Sequence, residues 1–470
     1  MAIASPPGCW WRASRRCGHE RRAPGRGGGG GIAGLLAANW VQACGLPVVL
    51  IERADACGGL LRSYRDEDGN AFDQGTHVPA MTGDARVDRL LFDEAGLDWQ
   101  EVPVLRVGNV FAGVLNERSQ FIDISGLAPS LYQACFTGLL NSLTTDRDAP
   151  SLEAALLAHF GEPLAREVFF PLLRRFYVAP FDQLSASSHR FLGYGRVIAG
   201  SAEVCRELKR SAVYDAKVAF RDYLEGRSAV RHRYPRNGGV GSWVDALCER
   251  LRAGGGRILT GAQVQGVDHA AQVLNLADGE RLGFEQLVWT APLALLARAL
   301  GLPVASAPPR FLPLRLFHFL LDRPAACDCH YLYLNDPAAR AFRITLYDNV
   351  LERNEAPWRL TVEALDAPGE TTAQQAAAVL RELRDAAVLA PGCEARLVLE
   401  QSIANGFPEV TLAQDAANRE LRERVLEHAP ALVLCGRNAS DAFFTTDVLL
   451  DTAAQLERRF GAPATPGDPR

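Results

Sequence analysis

The chain has 470 residues, more than a single hydrophobic core normally serves, so two domains are expected. Apolar residues make up 48% and charged residues 22%, the balance of a globular protein rather than a disordered or fibrous one. A formal net charge of -5 provides no field for gathering nucleic acid or docking on an anionic membrane.

Residues 1–28 are rich in Arg, Gly and Pro and carry no periodicity, so they are expected to be disordered. The arginines there (Arg12, Arg15, Arg16, Arg21, Arg22) run into glycines rather than an apolar segment, so no secretory signal is expected. From Gly29 the texture changes. Ile32 to Cys44 reads as a helix rich in Ala and Leu, stopped by Gly45 with Pro47 beyond. Val48 to Ile51 is a β-branched run of the kind buried on both faces of a sheet, and the two make a βαβ-type unit. Helices follow at Ser151 to Phe160, capped by Ser151, and at Pro163 to Tyr177, where Pro171 should interrupt. Arg174 and Arg175 are expected on a solvated helix face. After the loop Tyr234 to Gly239, a helix from Ser242 places Trp243, Val244, Leu247 and Leu251 on one side and ends at Gly254 to Gly256.

Strands are expected at Arg257 to Thr260, Gln263 to Asp268, Gln272 to Leu276 and Gln286 to Thr290, with a hairpin turn at Asp278-Gly279. Residues 311–365 alternate and are aromatic-rich, as in an antiparallel sheet. Phe311 to Leu321, the most apolar run, is short of the ~18–20 residues that cross a bilayer and carries Arg315 and His318, so no integral membrane segment is expected. A helix over 371–390, a strand at Ala431 to Cys435 and a helix from Thr446 to Phe460 complete the series, and 461–470 is expected to be a disordered tail. The eleven cysteines are odd in number and scattered, which suits free thiols in a reducing, cytoplasmic setting. Cys327, Cys329 and His330 form the tightest cluster, but C-x-C-H alone supplies too few ligands, and no metal site is assigned.

The chemistry-bearing feature is Gly29-Gly30-Gly31-Ile32-Ala33-Gly34, a G-x-G-x-x-G opening the first helix. Gly29 permits a tight turn, Gly31 lets backbone approach a pyrophosphate, and Gly34 lets the helix pack closely on the sheet. Pyrophosphate charge would then lie at the helix N-terminus. Glu52 ends the next strand near the expected offset of ~20 residues, where a carboxylate accepts from a ribose diol and repels a 2′-phosphate. A flexible glycine loop before an unrelated helix is the alternative, since the motif lies within the run Gly27 to Gly31.

Glu52-Arg53-Ala54-Asp55-Ala56-Cys57-Gly58-Gly59-Leu60-Leu61-Arg62-Ser63 resembles the second glycine motif of the flavin amine oxidase and protoporphyrinogen oxidase-like superfamily. Phe72-Asp73-Gln74-Gly75-Thr76-His77 resembles that family's strand returning beneath the flavin. The stretch from Tyr234 to Gly239, followed by a helix and then Val264, resembles the segment whose backbone meets the adenine. Leu434-Cys435-Gly436-Arg437, with Asp447 and its helix, resembles the C-terminal motif facing the ribityl chain. Phe169 to Ser185 is similar to the helical part of protoporphyrinogen oxidase-like members.

The resemblance implies an α/β protein: a Rossmann-like, three-layer ββα FAD-binding domain of glutathione-reductase type, with a second α+β substrate domain of mixed sheet plus helices. It divides the chain into 29–85, 230–300 and 396–460 for the FAD domain and 86–229 and 301–395 for the substrate domain. It implies noncovalent FAD, held by Gly29, Gly31, Ile32, Ala33, Gly34, Glu52, Arg53, Gly58, Gly59, Leu60, Arg62, Gly75, Thr76, Val264, Gly436, Arg437 and Asp447.

His77 is the candidate catalytic residue, as proton donor or substrate ligand; a structural histidine bonded to backbone is the alternative. Tyr331, Tyr333 and Tyr347 are candidate pocket residues, with core packing, the commoner use of such aromatics, as the alternative. The implied activity is hydride transfer from a small organic substrate to flavin. Gly75-Thr76-His77 and Gly436-Arg437 are also similar to UDP-galactopyranose mutase, so a non-redox sugar mutase stays open, as does a flavin-fold protein without turnover.

One departure stands out. The residues before Gly29 are Ala23-Pro24-Gly25-Arg26-Gly27-Gly28, where the family has an apolar first strand. Proline, glycine and a charged side chain are poor in a central strand. The expectation is that 1–28 is not the natural beginning, as from a shifted reading frame or another start, and that FAD binding suffers.

Overall fold

The structure, a computed structural model, describes residues 3–4, 29–145, 149–188, 193–226, 230–304, 309–440, 442 and 444–464. Val49–Ile51 is buried throughout and splits its side chains between two cores. Leu50 packs among Leu36, Trp40, Leu247 and Leu456 of the covering helices, while Val49 and Ile51 face Leu274, Trp289 and Leu434. A strand buried on both faces reads as a continuous apolar run because period-2 alternation then has no polar side to show. Val49–Ile51 pairs in parallel with Arg257–Leu259, and Val288–Trp289 with Val433–Leu434.

Helices Ile32–Ala43, Gly241–Ala253 and Thr445–Phe460 cover one side. An antiparallel meander of Val264–Asp268, Val273–Leu276 and Arg281–Gly283 covers the other, turned at Gly279 with φ +90. This is the three-layer ββα arrangement expected.

The place of a first strand is filled unusually. Ile3–Ala4 pairs antiparallel with Val49 and Leu50. A strand leading directly into Gly29 would have to run parallel to Val49–Ile51, as in a βαβ unit. The rest of 1–28, and with it most of the expected disordered segment, lies outside the described residues.

The second domain is built on a seven-stranded sheet. Its order is Ala395–Glu409, Arg310–Leu321, Trp358–Leu365, Ala341–Leu346, Tyr331–Asn335, Val107–Phe111, Val114–Asn116. All neighbours are antiparallel except Tyr331–Asn335 and Val107–Phe111, so the sheet is mixed. Helix Thr372–Asp385, opened by a Thr371/Gln374 capping box, packs Val379 and Leu383 on Phe317, Phe319, Leu332, Ile344 and Val362. A helical cluster around Phe160, Phe169, Leu172 and Phe181 caps one end.

Two details differ from sequence expectation. The helix from Pro163 is broken earlier than Pro171: Glu162–Leu164 passes into a wide π-type turn at Ala165–Phe169 before Phe170–Leu173. Pro171 has no N–H for the preceding turn, and the turn widens to accommodate it. Arg175 is not on a solvated face. Its guanidinium donates to Leu334 O (3.0 Å) and Ala341 O (2.8 Å), tying the helix to the sheet. Arg174 is exposed and stacks over Phe181 at 4.0 Å.

Candidate functional site

Gly31 caps the Ile32–Ala43 helix with extended backbone, φ -70 and ψ 175; no side chain caps this end and no acid occupies its first turn. The helix's free N–H groups and positive dipole end are therefore unopposed. A Cβ built on Gly31 would meet nothing within 4 Å, so open space lies beside it. Gly30 is the opposite case, its Cβ falling 2.6 Å from Cys57 Sγ and 3.1 Å from Glu52 Oε2. The two glycines thus serve different ends: Gly30 for packing within the chain, Gly31 for something outside it.

Glu52, 2% exposed, accepts from Gly30 N–H (2.5 Å) and Ala54 N–H (2.7 Å), which fixes its carboxylate against the glycine turn. Each oxygen keeps a lone pair for another donor. Gly58 N–H donates to Gly30 O (2.8 Å), and a Cβ on Gly59, at φ +60, would sit 3.5 Å from Gly31 Cα. The two glycine motifs are therefore one constellation. Gly436 joins it, its Cβ position 3.6 Å from that of Ala33, and its N–H donates to Thr452 Oγ1 (3.1 Å). Thr290 Oγ1 reaches Gly29 O at 3.3 Å.

Residues present here fit a dinucleotide: an anion site at a helix N-terminus, a buried acid, and backbone kept bare of Cβ. Around the rim, Arg62 turns back to Ala56 O and lies 3.7 Å from Asp55, Leu60 is 52% exposed, and Arg53 is half-buried. Val264 follows Ala262, whose N–H donates to Glu52 O (3.0 Å). Arg437 is exposed in the Gly436–Asn438 turn, and Asp447 is exposed in the first turn of Thr445–Phe460.

From Gly59 the chain crosses to the second domain through Asp73. Its side chain is fully buried and accepts from Ser63 Oγ (2.6 Å), Tyr234 OH (2.7 Å) and Val240 N–H (2.9 Å). Its own N–H donates to Tyr347 OH (2.8 Å), which bonds Thr361 Oγ1 (2.7 Å), which bonds His318 Nδ1 (2.7 Å). Burial pushes the Asp73 carboxyl up to about 6 against these hydrogen bonds.

Beyond Asp73, Thr76 N–H donates to Glu363 Oε1 (2.9 Å) and Thr76 Oγ1 meets Thr345 Oγ1 (2.6 Å). Glu363 is 4% exposed and holds Arg343 in a two-point ion pair, 2.6 and 2.7 Å. Cross-strand register sets Tyr333, Arg343 and Glu363 in one row and Tyr331, Thr345, Thr361 and His318 in the next, on the same sheet face.

Sequence reasoning proposed the tyrosines but missed Arg343, Thr345, Thr361 and Glu363. Their signal was present: Phe342-Arg343-Ile344-Thr345 and Leu360-Thr361-Val362-Glu363 alternate apolar with polar, the mark of a strand with one polar face.

His77 sits at the edge of this face. Its Nε2 approaches Gln74 O at 3.2 Å, and burial, then the Arg343 charge, push its pKa down to about 4. It is neutral at pH 7 and bonded to backbone. His318 is likewise pushed down to about 4, chiefly by burial. Folded protein therefore binds fewer protons than unfolded at these two sites between pH 6.5 and 4, so their stabilisation is full above 6.5 and falls with acidification. Asp73 acts oppositely, its contribution being lost as pH rises through 6. His330, pushed down to about 3 chiefly by burial, adds to the two histidines, and three protons taken up against one released leave a net loss of about 2.7 kcal/mol per pH unit from pH 6 towards 4. Denaturant midpoints at pH 7.5, 6 and 5 check this; a flat profile would contradict it.

A cavity of about 490 Å³ opens against Tyr331, walled by Leu105, Val107, Phe121, Ala219, Phe220 and Tyr223 with His232 at its margin. Its cations are already engaged, Lys209 by Asp215 (2.5 Å) and Arg196 by Asp215 O (3.1 Å), which leaves the wall predominantly apolar. A larger cavity of about 1170 Å³ lies by the Val114–Asn116 edge strand; neither cavity is lined by the glycine-site residues.

No helix among the described residues is long and apolar enough to cross a membrane. The chain is similar in fold to a reduced UDP-galactopyranose mutase, at TM-score 0.71 and 19% identity over 92% of this chain and 94% of that one. An Exiguobacterium sp. 255-15 protein assigned as a protoporphyrinogen oxidase aligns at TM-score 0.62 and 18% identity, covering 92% and 97%. A putrescine oxidase variant aligns at 0.57 and 13%, covering 92% and 98%. Protoporphyrinogen oxidase of Bos taurus is 41% identical over 80 residues, a match spanning 16% of this chain and only 17% of the bovine enzyme's length. The family model of flavin-containing amine oxidoreductases matches residues 32–324. A flavin is the cofactor that match supports, and the chain belongs to the flavin-containing amine oxidoreductase family.

Proposed function

We propose that this chain is an FAD-dependent oxidoreductase that takes hydride from a small, largely apolar organic molecule, with FAD bound noncovalently. The observation that carries the cofactor half is the open space at Gly31 over an uncapped helix N-terminus, beside the buried carboxylate of Glu52. In this reading Gly29, Gly31, Ile32, Ala33 and Gly34 bind the pyrophosphate. Glu52 accepts from ribose, Arg53, Gly58, Gly59, Leu60, Arg62 and Val264 border the nucleotide, and Gly75, Thr76, Gly436, Arg437 and Asp447 border the remainder. Bound flavin supplies an electrophilic N5 able to accept hydride.

The protein's own part is placement. The 490 Å³ cavity holds an apolar substrate against Tyr331, and the Thr76–Thr345 hydrogen bond joins that row of the sheet to the glycine side. With its pKa pushed down to about 4, His77 serves as a neutral hydrogen-bond partner of the Gln74 carbonyl rather than as an acid. A cytoplasmic setting belongs to the same proposal and rests on the free cysteines.

Purified protein should carry a flavin absorbance spectrum, release FAD on heating, and bleach anaerobically with apolar amines or saturated cyclic compounds. Tyr331→Ala should slow that bleaching at least about tenfold, about 1.4 kcal/mol of barrier, with flavin content unchanged. Equal rates would remove the cavity from the proposal. Turnover of a nucleotide sugar only after reduction of the flavin, without net redox change, would mark a mutase instead. Flavin retention with no spectral response would mark a protein without turnover.

A further inference from the structure

The loop between Arg310–Leu321 and Tyr331–Asn335 takes no part in the flavin reading, yet it is the most chemically charged spot outside it. Cys327 and Cys329 are 5% and 1% exposed. Glu117, just past the edge strand Val114–Asn116, brings its carboxylate to them, and one ligand atom from each of the three residues lies within 4.8 Å of the others. No spacing in the sequence links Glu117 to the two cysteines. The sheet does so, by setting Val107–Phe111 between Tyr331–Asn335 and the Val114–Asn116 edge.

The cluster is held from several sides. Asn349 Nδ2 donates to both Cys327 O (2.9 Å) and Cys329 O (2.7 Å), fixing the C-x-C turn. Asp328 N–H donates to Glu117 Oε2 (2.9 Å), which orients the carboxylate. Gly108 admits Cys329 because it lacks a side chain; a Cβ there would lie 2.6 Å from Sγ. His330, the third candidate ligand in the sequence, is engaged elsewhere, its Nδ1 accepting from Arg106 N–H (3.2 Å). Glu117 and Asp328 line the 1170 Å³ cavity, so ions and water reach the cluster from there.

We propose that Cys327 Sγ, Cys329 Sγ and one carboxylate oxygen of Glu117 bind a thiophilic divalent cation of the zinc class, with water from the cavity as fourth ligand. Two sulfurs and one carboxylate oxygen suit a tetrahedral d¹⁰ ion, and thiolates disfavour Mg²⁺ and Ca²⁺. Binding breaks two S–H bonds as two metal–sulfur bonds form; both protons leave to solvent and no electron moves. The ion would pin the edge hairpin to the 322–330 loop, a structural role independent of flavin chemistry.

The test uses flavin-loaded protein, reduced with a phosphine, stripped with chelator and titrated with Co²⁺ as a spectroscopic probe. Tetrahedral thiolate–Co²⁺ absorption at wavelengths beyond the flavin bands, saturating at about one equivalent per chain and abolished by excess Zn²⁺, is expected. Cys327→Ser and Cys329→Ser should abolish it. Glu117→Gln, a change at an exposed side chain that leaves the core intact, should weaken it at least about tenfold. The flavin spectrum of each variant reports folding. No uptake by the unaltered protein, uptake that survives either serine variant, or unchanged affinity in Glu117→Gln would overturn the assignment.

Discussion

Gly31→Val is expected to leave the protein folded and to cost it the flavin. The backbone at Gly31 is extended, a conformation valine favours, and its Cβ would touch nothing in the chain. Stability of the flavin-free form should therefore move by less than about 0.5 kcal/mol. The same methyl groups would occupy the space through which a pyrophosphate meets the helix N-terminus, and that interaction is the main anchor of a dinucleotide.

Loss of at least about 3 kcal/mol of binding, a hundredfold or more in Kd, is the expected size. Gly30→Ala is the matched control with the opposite outcome. Its Cβ would collide with Cys57 Sγ at 2.6 Å, so it should destabilise the fold itself by about 1–3 kcal/mol. The flavin-to-protein ratio and the denaturation midpoint of each apoprotein separate the two effects. Normal flavin retention by Gly31→Val would show that the cofactor does not lie where the glycine motif places it.

Asp73→Ala should be the most damaging single substitution at the domain junction. It removes the shared acceptor of Ser63, Tyr234 and Val240, two of which are buried to 2% or less. Orphaning buried donors costs about 1–3 kcal/mol each, so a loss of about 3–5 kcal/mol is expected in chemical denaturation. Asp73→Asn should cost far less. Its carbonyl can keep the Ser63 and Val240 bonds made at Oδ1, and the Tyr234 hydroxyl can turn to accept from the amide at the Oδ2 position.

The two forms should also differ with pH. The aspartate pKa is raised to about 6 by burial, so the native protein loses stability relative to Asp73→Asn as pH rises from 4 through 6. A pH-independent difference, or an alanine variant as stable as the parent, would remove Asp73 from the role of junction.

Much of the dinucleotide half was legible in the residues. Gly29 to Gly34, the helix after it, the short apolar strand and Glu52 form a local unit, and local units are encoded by turn chemistry and periodicity within a few tens of residues. The capping Ser151 and the Asp278-Gly279 hairpin were legible for the same reason. Sequence patterning assigned nothing between 390 and 431, where Ala395–Glu409 and Leu412–His428 lie. That strand is interrupted by register shifts, and Gly406 packs against Leu314 with no room for a Cβ, so its alternation is irregular. It pairs along Arg310–Leu321, which puts the 395/396 division at the first residues of a strand of the second domain's sheet.

By itself, then, the sequence determined that a glycine turn would open the first helix with Glu52 beside it, because those demands fall on residues within a few tens of one another. Tertiary structure alone decided which side chains remote in sequence meet. Arg343 and Glu363 become partners through strand register, Thr76 meets Thr345 across a domain junction, and Glu117 reaches Cys327 and Cys329 through the order of strands in one sheet. Side chains remote in sequence and brought together by a sheet leave no spacing to read, since register is set by the packing of whole faces rather than by the residues that the packing brings into contact.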